Sequence, residues 1–257
     1  MYNLPKQFLS ASQINKYLTC PRQYEFEYVK GVEIVKRSNY NMALGSSVHK
    51  YVETHINKML NSNGDPQNYS DVILEATQDI SAIVANPTVD LDGQSEEATI
   101  SYAQNLYNIW YKELASSILP IASEKKFEAL VGDVPVMGFI DYIDHSSGTE
   151  EICDLKVVDK TKTLSDATNS VQLAIYSIVE KNPCVRFDSL VKTKVPKLTQ
   201  VRHKFSPGEL QYFTDLIGEV ATNISAGNFP RCKPDSWSCT ATWCSFFKDC
   251  RGSYGKE

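Results

Sequence analysis

The sequence predicts a mixed α/β (α+β) protein, and three observations lead to that class. Apolar residues recur at helical spacing through most of the first 120 residues. Three short strand-like segments separated by turn residues follow between residues 122 and 158. A helix, two strands and a last helix then precede a cysteine-rich tail. This order of elements favours a mixed sheet flanked by helices over an all-α or all-β arrangement.

Four helices are predicted in the N-terminal part of the chain. The first begins at Ser10, and Gln13 stands three residues later, as in a capping box. The second covers about 41–60 and has one apolar face. The third and fourth cover about 70–85 and 95–118, separated by the turn signals Asn86-Pro87 and Gly93-Gln94.

The following part of the chain is predicted to form strands and two helices. An antiparallel meander is expected because turn residues recur at short spacing. The expected strands are 122–131, 134–144, 150–158, 186–195 and 199–205, and the expected helices are 166–181 and 207–226.

Composition excludes several classes of protein. The chain has 257 residues, 42% of them hydrophobic, which is ordinary for a globular protein and argues against disorder, fibres and coiled coils. No apolar run approaches the roughly 18 residues of a membrane span, and no secretory leader is recognised, so we expect a cytoplasmic protein. The net charge of −5 provides no general attraction to nucleic acid, so DNA binding would need a local basic groove.

An acidic pair and a lysine stand out in the predicted meander. Asp154 and Lys156 are two residues apart in a strand and therefore project from the same face. Asp141 lies near the end of the preceding strand, and a short turn would bring it close to Asp154. Two neighbouring carboxylates repel each other unless a cation lies between them, and a lysine beside that cation can assist an attacking water. An Asp and a Lys at this spacing are also common as solvated surface residues.

Four sequence motifs in order resemble the PD-(D/E)XK nuclease superfamily, and its RecB-type branch in particular. Gly138 to Asp141 and then Asp154-Leu155-Lys156 resemble the nuclease core. Upstream, Gly45 to His49 is similar to a G-x-x-x-H helix, and Glu124 matches an acidic position before the meander. Downstream, Gln172 and Tyr176 resemble a Q-x-x-x-Y element. The resemblance runs from about Ser10 to Cys250 and implies a restriction-endonuclease-like core.

The resemblance implies metal-assisted hydrolysis of phosphodiester bonds in DNA. The implied ligands of Mg²⁺ or Mn²⁺ are His49, Asp141, Asp154 and the backbone carbonyl of Leu155. Lys156 would assist the attacking water, and Gln172 and Tyr176 would position the lysine or contact the DNA strand. Gly45 is expected to permit the close approach of another backbone to this helix.

The cysteine positions favour a metal or iron–sulfur site over disulfides in a reducing compartment. The resemblance implies a [4Fe-4S] cluster on Cys20, Cys239, Cys244 and Cys250, which would join the two ends of the chain. Zn²⁺ bound by the same four residues is the alternative. Cys232 could replace Cys239 or have no role. We expect Cys153 to pack in the core and Cys184 to be inert.

Basic and aromatic residues offer further candidates for DNA contacts. The basic candidates are Lys156, Lys160, Lys162, Lys192, Lys194, Lys197 and Arg202 to Lys204, although any one of them is equally well explained as a solvated residue. Tyr24, Tyr28 and Trp237 could stack on bases, or could simply be packing residues.

We therefore expect one RecB-like nuclease domain over 1–257. Its parts would be a joined iron–sulfur subregion of 1–30 and 228–257, a helical part at 40–120 and a nuclease core at 121–227. The expected activity is a metal-dependent DNA exonuclease acting on single-stranded DNA or duplex ends in phage or bacterial recombination, repair or adaptation. It could form a homo-oligomer or work with a helicase or recombination partner. The alternatives are a non-catalytic subunit or inhibitor of a helicase–nuclease or CRISPR complex, and, more weakly, an electron carrier.

Overall fold

The computed structural model describes residues 2–32, 38–62 and 67–251, so the last residues of the predicted tail, 252–257, lie outside the described part. The helices are α1 Ala11–Thr19, α2 Pro21–Tyr24, α3 Tyr40–Asn61, α4 Tyr69–Val84, α5 Glu96–Glu113, α6 Leu164–Thr168, α7 Val171–Glu180, α8 Pro207–Ser225 and α9 Phe247–Arg251, with a π-helical turn at Glu25–Val29 and a 3-10 turn at Ala115–Ser117. The strands are β1 Ser38–Asn39, β2 Val89–Asp90, β3 Pro120–Val131, β4 Val134–Asp144, β5 Glu151–Val158, β6 Cys184–Val191 and β7 Lys197–Lys204. The predicted α/β class is confirmed.

Internal contacts divide the chain into two compact units. The first contains the described residues of Met1–Val35, Phe127–Gly138 and Ser206–Glu257. The second contains those of Lys36–Lys126 and Phe139–Phe205. The division into an iron–sulfur subregion, a helical part and a nuclease core stays a prediction.

The sheet has five strands in the order β3-β4-β5-β6-β7. Strands β4 and β5 are antiparallel, with Tyr142 opposite Cys153, whereas β5 and β6 are parallel, with Asp154 opposite Phe187. Strand β7 returns antiparallel to β6. Because parallel neighbours cannot be joined by a hairpin, the chain crosses from β5 to β6 through α6 and α7. The mixed sheet follows from this single crossover.

Three helices of the second unit, α3, α4 and α5, pack against one another around an apolar core. Tyr107 and Trp110 on α5 are fully buried there, as the aromatic content of this helix indicated. His55 on α3 is also fully buried, and its Nδ1 lies 2.8 Å from the Tyr107 hydroxyl oxygen. Burial lowers the pKa of His55 to about 4, so this histidine is neutral in the folded protein.

An aromatic cluster lies in the first unit. The Tyr17 hydroxyl donates a hydrogen bond of 2.7 Å to the carbonyl oxygen of Asn228. Tyr24 is fully buried, and its ring stacks on Phe229 at 6.2 Å between centroids. The suggestion that Tyr24 could stack on bases is therefore wrong, because its ring is already covered. Tyr28 is half-buried, and the ammonium groups of Lys6 and Lys16 lie over its ring.

Gly138 is required for close packing within the same unit. A Cβ atom at Gly138 would lie 2.7 Å from a ring carbon of Phe127. The ring of Phe127 is buried and fills the space that a side chain at Gly138 would need. The glycine of the Gly138 to Asp141 motif therefore has a local steric reason.

Some local features were not predicted. Strands β1 and β2 pair in parallel over two residues each, which is too short to leave a periodic pattern. The Ser10 side chain accepts a hydrogen bond from the Gln13 backbone, as predicted, but Gln13 Oε1 is buried without a hydrogen-bond donor among the described residues. The reciprocal half of that capping box is therefore not formed. No helix in the described ranges is long and apolar enough to cross a membrane.

Candidate active site

The pairing of β4 with β5 positions the acidic residues of the site. The antiparallel ladder includes Tyr142 and Cys153, so Asp141 and Asp154 lie at the next position along the two strands. The backbone N–H of Leu155 donates a hydrogen bond of 2.7 Å to Oδ2 of Asp141. This bond fixes the Asp141 carboxylate beside the backbone of Leu155, whose carbonyl was a predicted metal ligand.

His49 reaches the same place from α3. Its Nδ1 lies 3.8 Å from Oδ2 of Asp141, and its side chain is partly exposed. Gly45, one helical turn earlier, faces open space, because a Cβ atom built there would meet no atom of the described residues within 4 Å. The described residues leave that space open, so the expected backbone approach at Gly45 stays a prediction.

Glu124 on β3 completes a group of three metal-ligating side chains. One ligand atom each from His49, Glu124 and Asp141 lies within 4.8 Å of the other two. The sequence indicated Glu124 as an acidic position but not as a ligand. Its backbone has φ +44°, a left-handed conformation that is unfavourable for a non-glycine residue and that interrupts the alternation of β3. Alternation alone therefore could not have predicted where this side chain points.

The electrostatics of the group favour a cation. Burial, followed by the negative charge of Asp141, raises the pKa of Glu124 to about 7. Burial also raises the pKa of Asp154, whose side chain is 0% exposed, and the ammonium of Lys156 opposes that rise. A cation close to these carboxylates would relieve both the repulsion and the cost of burial.

Lys156 lies against Asp154, as the strand alternation predicted. Its Nζ is 2.7 Å from Oδ2 of Asp154. Burial alone would lower the pKa of Lys156, but the carboxylates of Asp154 and Asp141 outweigh this effect and raise the pKa. Lys156 is therefore a charged ammonium in this structure.

Gln172 and Tyr176 on α7 form a hydrogen-bonded chain with Lys156. The lysine donates to Oε1 of Gln172 at 3.1 Å, and Nε2 of Gln172 donates to the Tyr176 hydroxyl oxygen at 2.6 Å. The Tyr176 hydroxyl in turn donates to the carbonyl oxygen of Phe139 at 2.5 Å. Each group has a defined role as donor or acceptor, so the amide of Gln172 can take only one orientation.

The donor set fits a divalent metal ion. It combines one imidazole with carboxylates, a mixture that Mg²⁺ accepts and that makes Mn²⁺ more competitive. Oδ1 of Asp154 is buried and accepts no hydrogen bond from the described residues, which is unusual for a carboxylate oxygen. Asp154 is not part of the 4.8 Å group of His49, Glu124 and Asp141, but its charge interacts with those of Asp141 and His49.

A second group of ligand atoms in the same unit is explained without a metal. Asp144, Glu151 and Cys153 each bring a ligand atom within 4.8 Å of the others. The guanidinium of buried Arg186 contacts the carboxylates of Asp144, Glu151 and Asp188, and Arg186 Nε lies 2.9 Å from Oδ1 of Asp188. The arginine already supplies the positive charge that these carboxylates need. Cys153 is fully buried in the core, as expected.

The cysteines near the two ends of the chain meet in the first unit. A cavity of about 70 Å³ is lined by Cys20, Cys232, Cys239, Cys244 and Cys250. Among the described residues, the charged residues of the lining are Arg22, Arg231 and Arg251, and no carboxylate belongs to it. Burial, and then the neighbouring Cys20, raises the pKa of Cys232 to about 12. Several thiols and guanidinium groups around one cavity fit an anionic metal–thiolate centre.

The whole chain is similar to one protein family and to proteins of known structure. The family profile described as the PD-(D/E)XK nuclease superfamily matches residues 8–251. No curated protein matches the sequence significantly. The crystal structure of a candidate exonuclease from Eubacterium rectale is similar, with a TM-score of 0.57 at 13% identity over 93% of this chain and 87% of that one. The structure of SSO0001 covers 91% of this chain and 92% of its own at 13% identity, but its TM-score of 0.36 is too low to support an argument. The match over nearly the entire length shows that this chain belongs to the PD-(D/E)XK nuclease superfamily.

Proposed function

We propose that this protein is a metal-dependent DNA exonuclease that hydrolyses phosphodiester bonds at single-stranded or duplex ends. The observation that carries the proposal is the convergence of His49, Glu124 and Asp141 beside the Asp154–Lys156 pair. Membership of a nuclease superfamily supports the reaction class. The name of the similar Eubacterium rectale protein supports an exonuclease, although that likeness by itself concerns only the fold.

The metal would be Mg²⁺ or Mn²⁺, held by His49, Asp141, Asp154 and the Leu155 carbonyl, with Glu124 as an additional ligand. When bound, such an ion polarises a phosphate and lowers the pKa of water. The protein's own contribution is to bring together four acidic or imidazole groups from helix α3 and from strands β3, β4 and β5. Gly45 leaves open space one helical turn from His49, which would let a DNA backbone approach this ligand.

Lys156 is the residue that would act on the attacking water. Its ammonium would orient the water and stabilise the negative charge that grows on the phosphate oxygens as the new P–O bond forms. As the new P–O bond forms, the attacking water would release a proton to solvent; one ester P–O bond would break, and its leaving oxygen would take up a proton from solvent. Gln172 would hold the lysine in place, and Tyr176 would hold Gln172 through its bond to the Phe139 carbonyl.

The cysteine cavity would hold a [4Fe-4S] cluster on Cys20, Cys239, Cys244 and Cys250. Five thiols line one cavity together with three guanidinium groups, which supports an anionic metal–thiolate centre there. Zn²⁺ bound by the same four cysteines remains the alternative. Such a centre would hold the two ends of the chain together and restrict the unfolded state, as a disulfide closing a long loop does.

The proposed setting is recombination, repair or adaptation in the cytoplasm of a bacterium or a phage-infected cell. DNA would be the substrate, and a homo-oligomer or a helicase partner would be compatible with the activity. Exposed Lys160 and Lys194 would contact phosphates.

The decisive experiment is cleavage of end-labelled single-stranded and duplex DNA by anaerobically purified protein. It should be run with Mn²⁺, with Mg²⁺ and with EDTA, and with the Asp154→Ala, Lys156→Ala and Lys112→Ala proteins. We expect metal-dependent degradation that the first two substitutions abolish, whereas Lys112→Ala removes an exposed lysine of α5 and leaves activity unchanged. Full activity of folded Asp154→Ala protein would refute the assignment. An inert wild-type protein that binds DNA would instead support the non-catalytic subunit.

The metal content of the tail is tested on the same preparations. We expect about four iron and four acid-labile sulfide per chain, with loss of both in Cys20→Ser. A content of one zinc per chain without sulfide would show that the site binds zinc and not an iron–sulfur cluster.

A further inference from the structure

Two tryptophan side chains of the cysteine-rich tail are largely exposed. Trp237 is 69% exposed and Trp243 is 68% exposed. Their rings lie edge to face, 6.2 Å apart between centroids. The third tryptophan of the sequence, Trp110, is fully buried. Exposing two neighbouring indoles leaves a large apolar area in water, which marks a surface used for binding.

The backbone around the pair is held by short turns. The N–H of Cys239 donates to the carbonyl oxygen of Ser236 at 2.9 Å, and the N–H of Trp243 donates to the carbonyl oxygen of Thr240 at 3.2 Å. Cys239 and Cys244 line the cysteine cavity immediately beside the two tryptophans in sequence. The rings are thus attached to a segment that a metal–thiolate centre would make rigid, and rigid aromatic groups lose little entropy on binding.

The charge of the same segment indicates an anionic partner. Between residues 231 and 251 the chain carries four basic residues and only two acidic ones, in a protein of net charge −5. The acidic residue Asp235 already lies 3.5 Å from Lys233. A locally positive segment with exposed flat rings is complementary to a chain of unpaired nucleotides, which combines phosphates with bare bases.

We propose that Trp237 and Trp243 form a stacking site for the unpaired bases of single-stranded DNA. The inference rests on the proposed function, since it adds a binding site for the DNA substrate outside the catalytic residues. Base stacking tolerates any sequence, because every base has a π-face. A protein partner is the competing occupant, since tryptophan is also enriched at protein interfaces.

The test is titration of the full-length, cluster-loaded Lys156→Ala protein with oligothymidylate in EDTA, followed by tryptophan fluorescence and by fluorescence anisotropy of labelled DNA. Buried Trp110 is shielded, so quenching would report the two exposed rings. We expect Trp237→Ala and Trp243→Ala each to weaken binding between about 5-fold and 100-fold. Trp237→Phe and Trp243→Phe keep a flat ring and should retain most of the affinity. Tyr212→Ala removes an aromatic side chain that is 63% exposed in the same unit and should leave affinity unchanged.

The outcomes separate this inference from the nuclease assignment. The alanine variants must first match the parent protein in iron content and circular dichroism. If they then bind DNA as tightly as the parent protein, the stacking site is refuted, whatever the cleavage result. If the parent binds no single-stranded DNA, the inference is also refuted and a protein partner becomes the occupant to test. If binding depends on both tryptophans but the wild-type protein cleaves nothing, the stacking site stands and the nuclease proposal fails.

Discussion

Replacing Tyr176 by Phe tests the hydrogen-bonded chain behind the candidate catalytic lysine. The change removes one oxygen and keeps the ring, which is only 3% exposed. That oxygen lies between two partners, the carbonyl oxygen of Phe139 at 2.5 Å and Nε2 of Gln172 at 2.6 Å, and both hydrogen bonds are partly buried. Both partners lose a hydrogen bond when the hydroxyl is removed.

The expected cost can be worked from these two contacts. A buried polar group left without its partner costs about 1–3 kcal/mol. Gln172 is only half-buried and regains part of that from solvent. We therefore expect Tyr176→Phe to lower the free energy of unfolding by about 2–4 kcal/mol. The amide of Gln172 also becomes free to rotate, so we expect kcat to fall about 10-fold, equal to roughly 1.4 kcal/mol, with KM nearly unchanged.

The assay combines urea unfolding with cleavage kinetics on one preparation. Tyr212→Phe is the control, because that side chain is exposed and losing its hydroxyl should change stability by less than about 0.5 kcal/mol. A double-mutant cycle of Tyr176→Phe with Gln172→Ala should be non-additive, since the two side chains contact each other.

Two results would contradict this reasoning. A Tyr176→Phe protein as stable as the wild type would show that the two hydrogen bonds make no net contribution. Additive effects in the cycle would show that Tyr176 does not act through Gln172.

Three further predictions follow from other parts of the structure. Burial lowers the pKa of His55 from 6.5 to about 4, so the unfolded state takes up a proton first as pH falls. Between pH 6.5 and 4 the wild type should therefore lose about 3 kcal/mol of stability relative to His55→Phe. Urea unfolding that gives the same stability difference between the two proteins at both pH values would disprove this. Mn²⁺ at 100 times its Kd should stabilise the wild type by about 2.7 kcal/mol in thermal unfolding, and an equal shift in Asp141→Ala would mean that the ion binds elsewhere. Gly138→Ala should cost about 1–3 kcal/mol, because its Cβ would lie 2.7 Å from the Phe127 ring; Phe127→Leu in the same chain should recover part of the loss, and an absence of recovery would locate the strain elsewhere.

The sequence was sufficient wherever the controlling pattern is local. The long helices follow from apolar spacing, and turn residues delimit the strands. Asp154 and Lys156 share a face because side chains alternate along a strand, and their 2.7 Å contact agrees with that expectation. Gln172 and Tyr176 contact each other because residues four apart are neighbours on a helix.

Tertiary structure decided what brings distant residues together. His49 and Asp141 belong to a helix and a strand far apart in sequence, and only the packing of α3 near the end of β4 places their side chains 3.8 Å apart. Glu124 joins them through a left-handed backbone conformation in β3 that no periodic pattern encodes. Tyr24 is covered by an aromatic cluster, whereas Trp237 and Trp243 remain exposed, although all three are aromatic residues near cysteines. Composition and local spacing determine which side chains are available for a site. The path of the chain determines which of them meet, because burial and the convergence of ligands depend on contacts between residues that are remote in sequence.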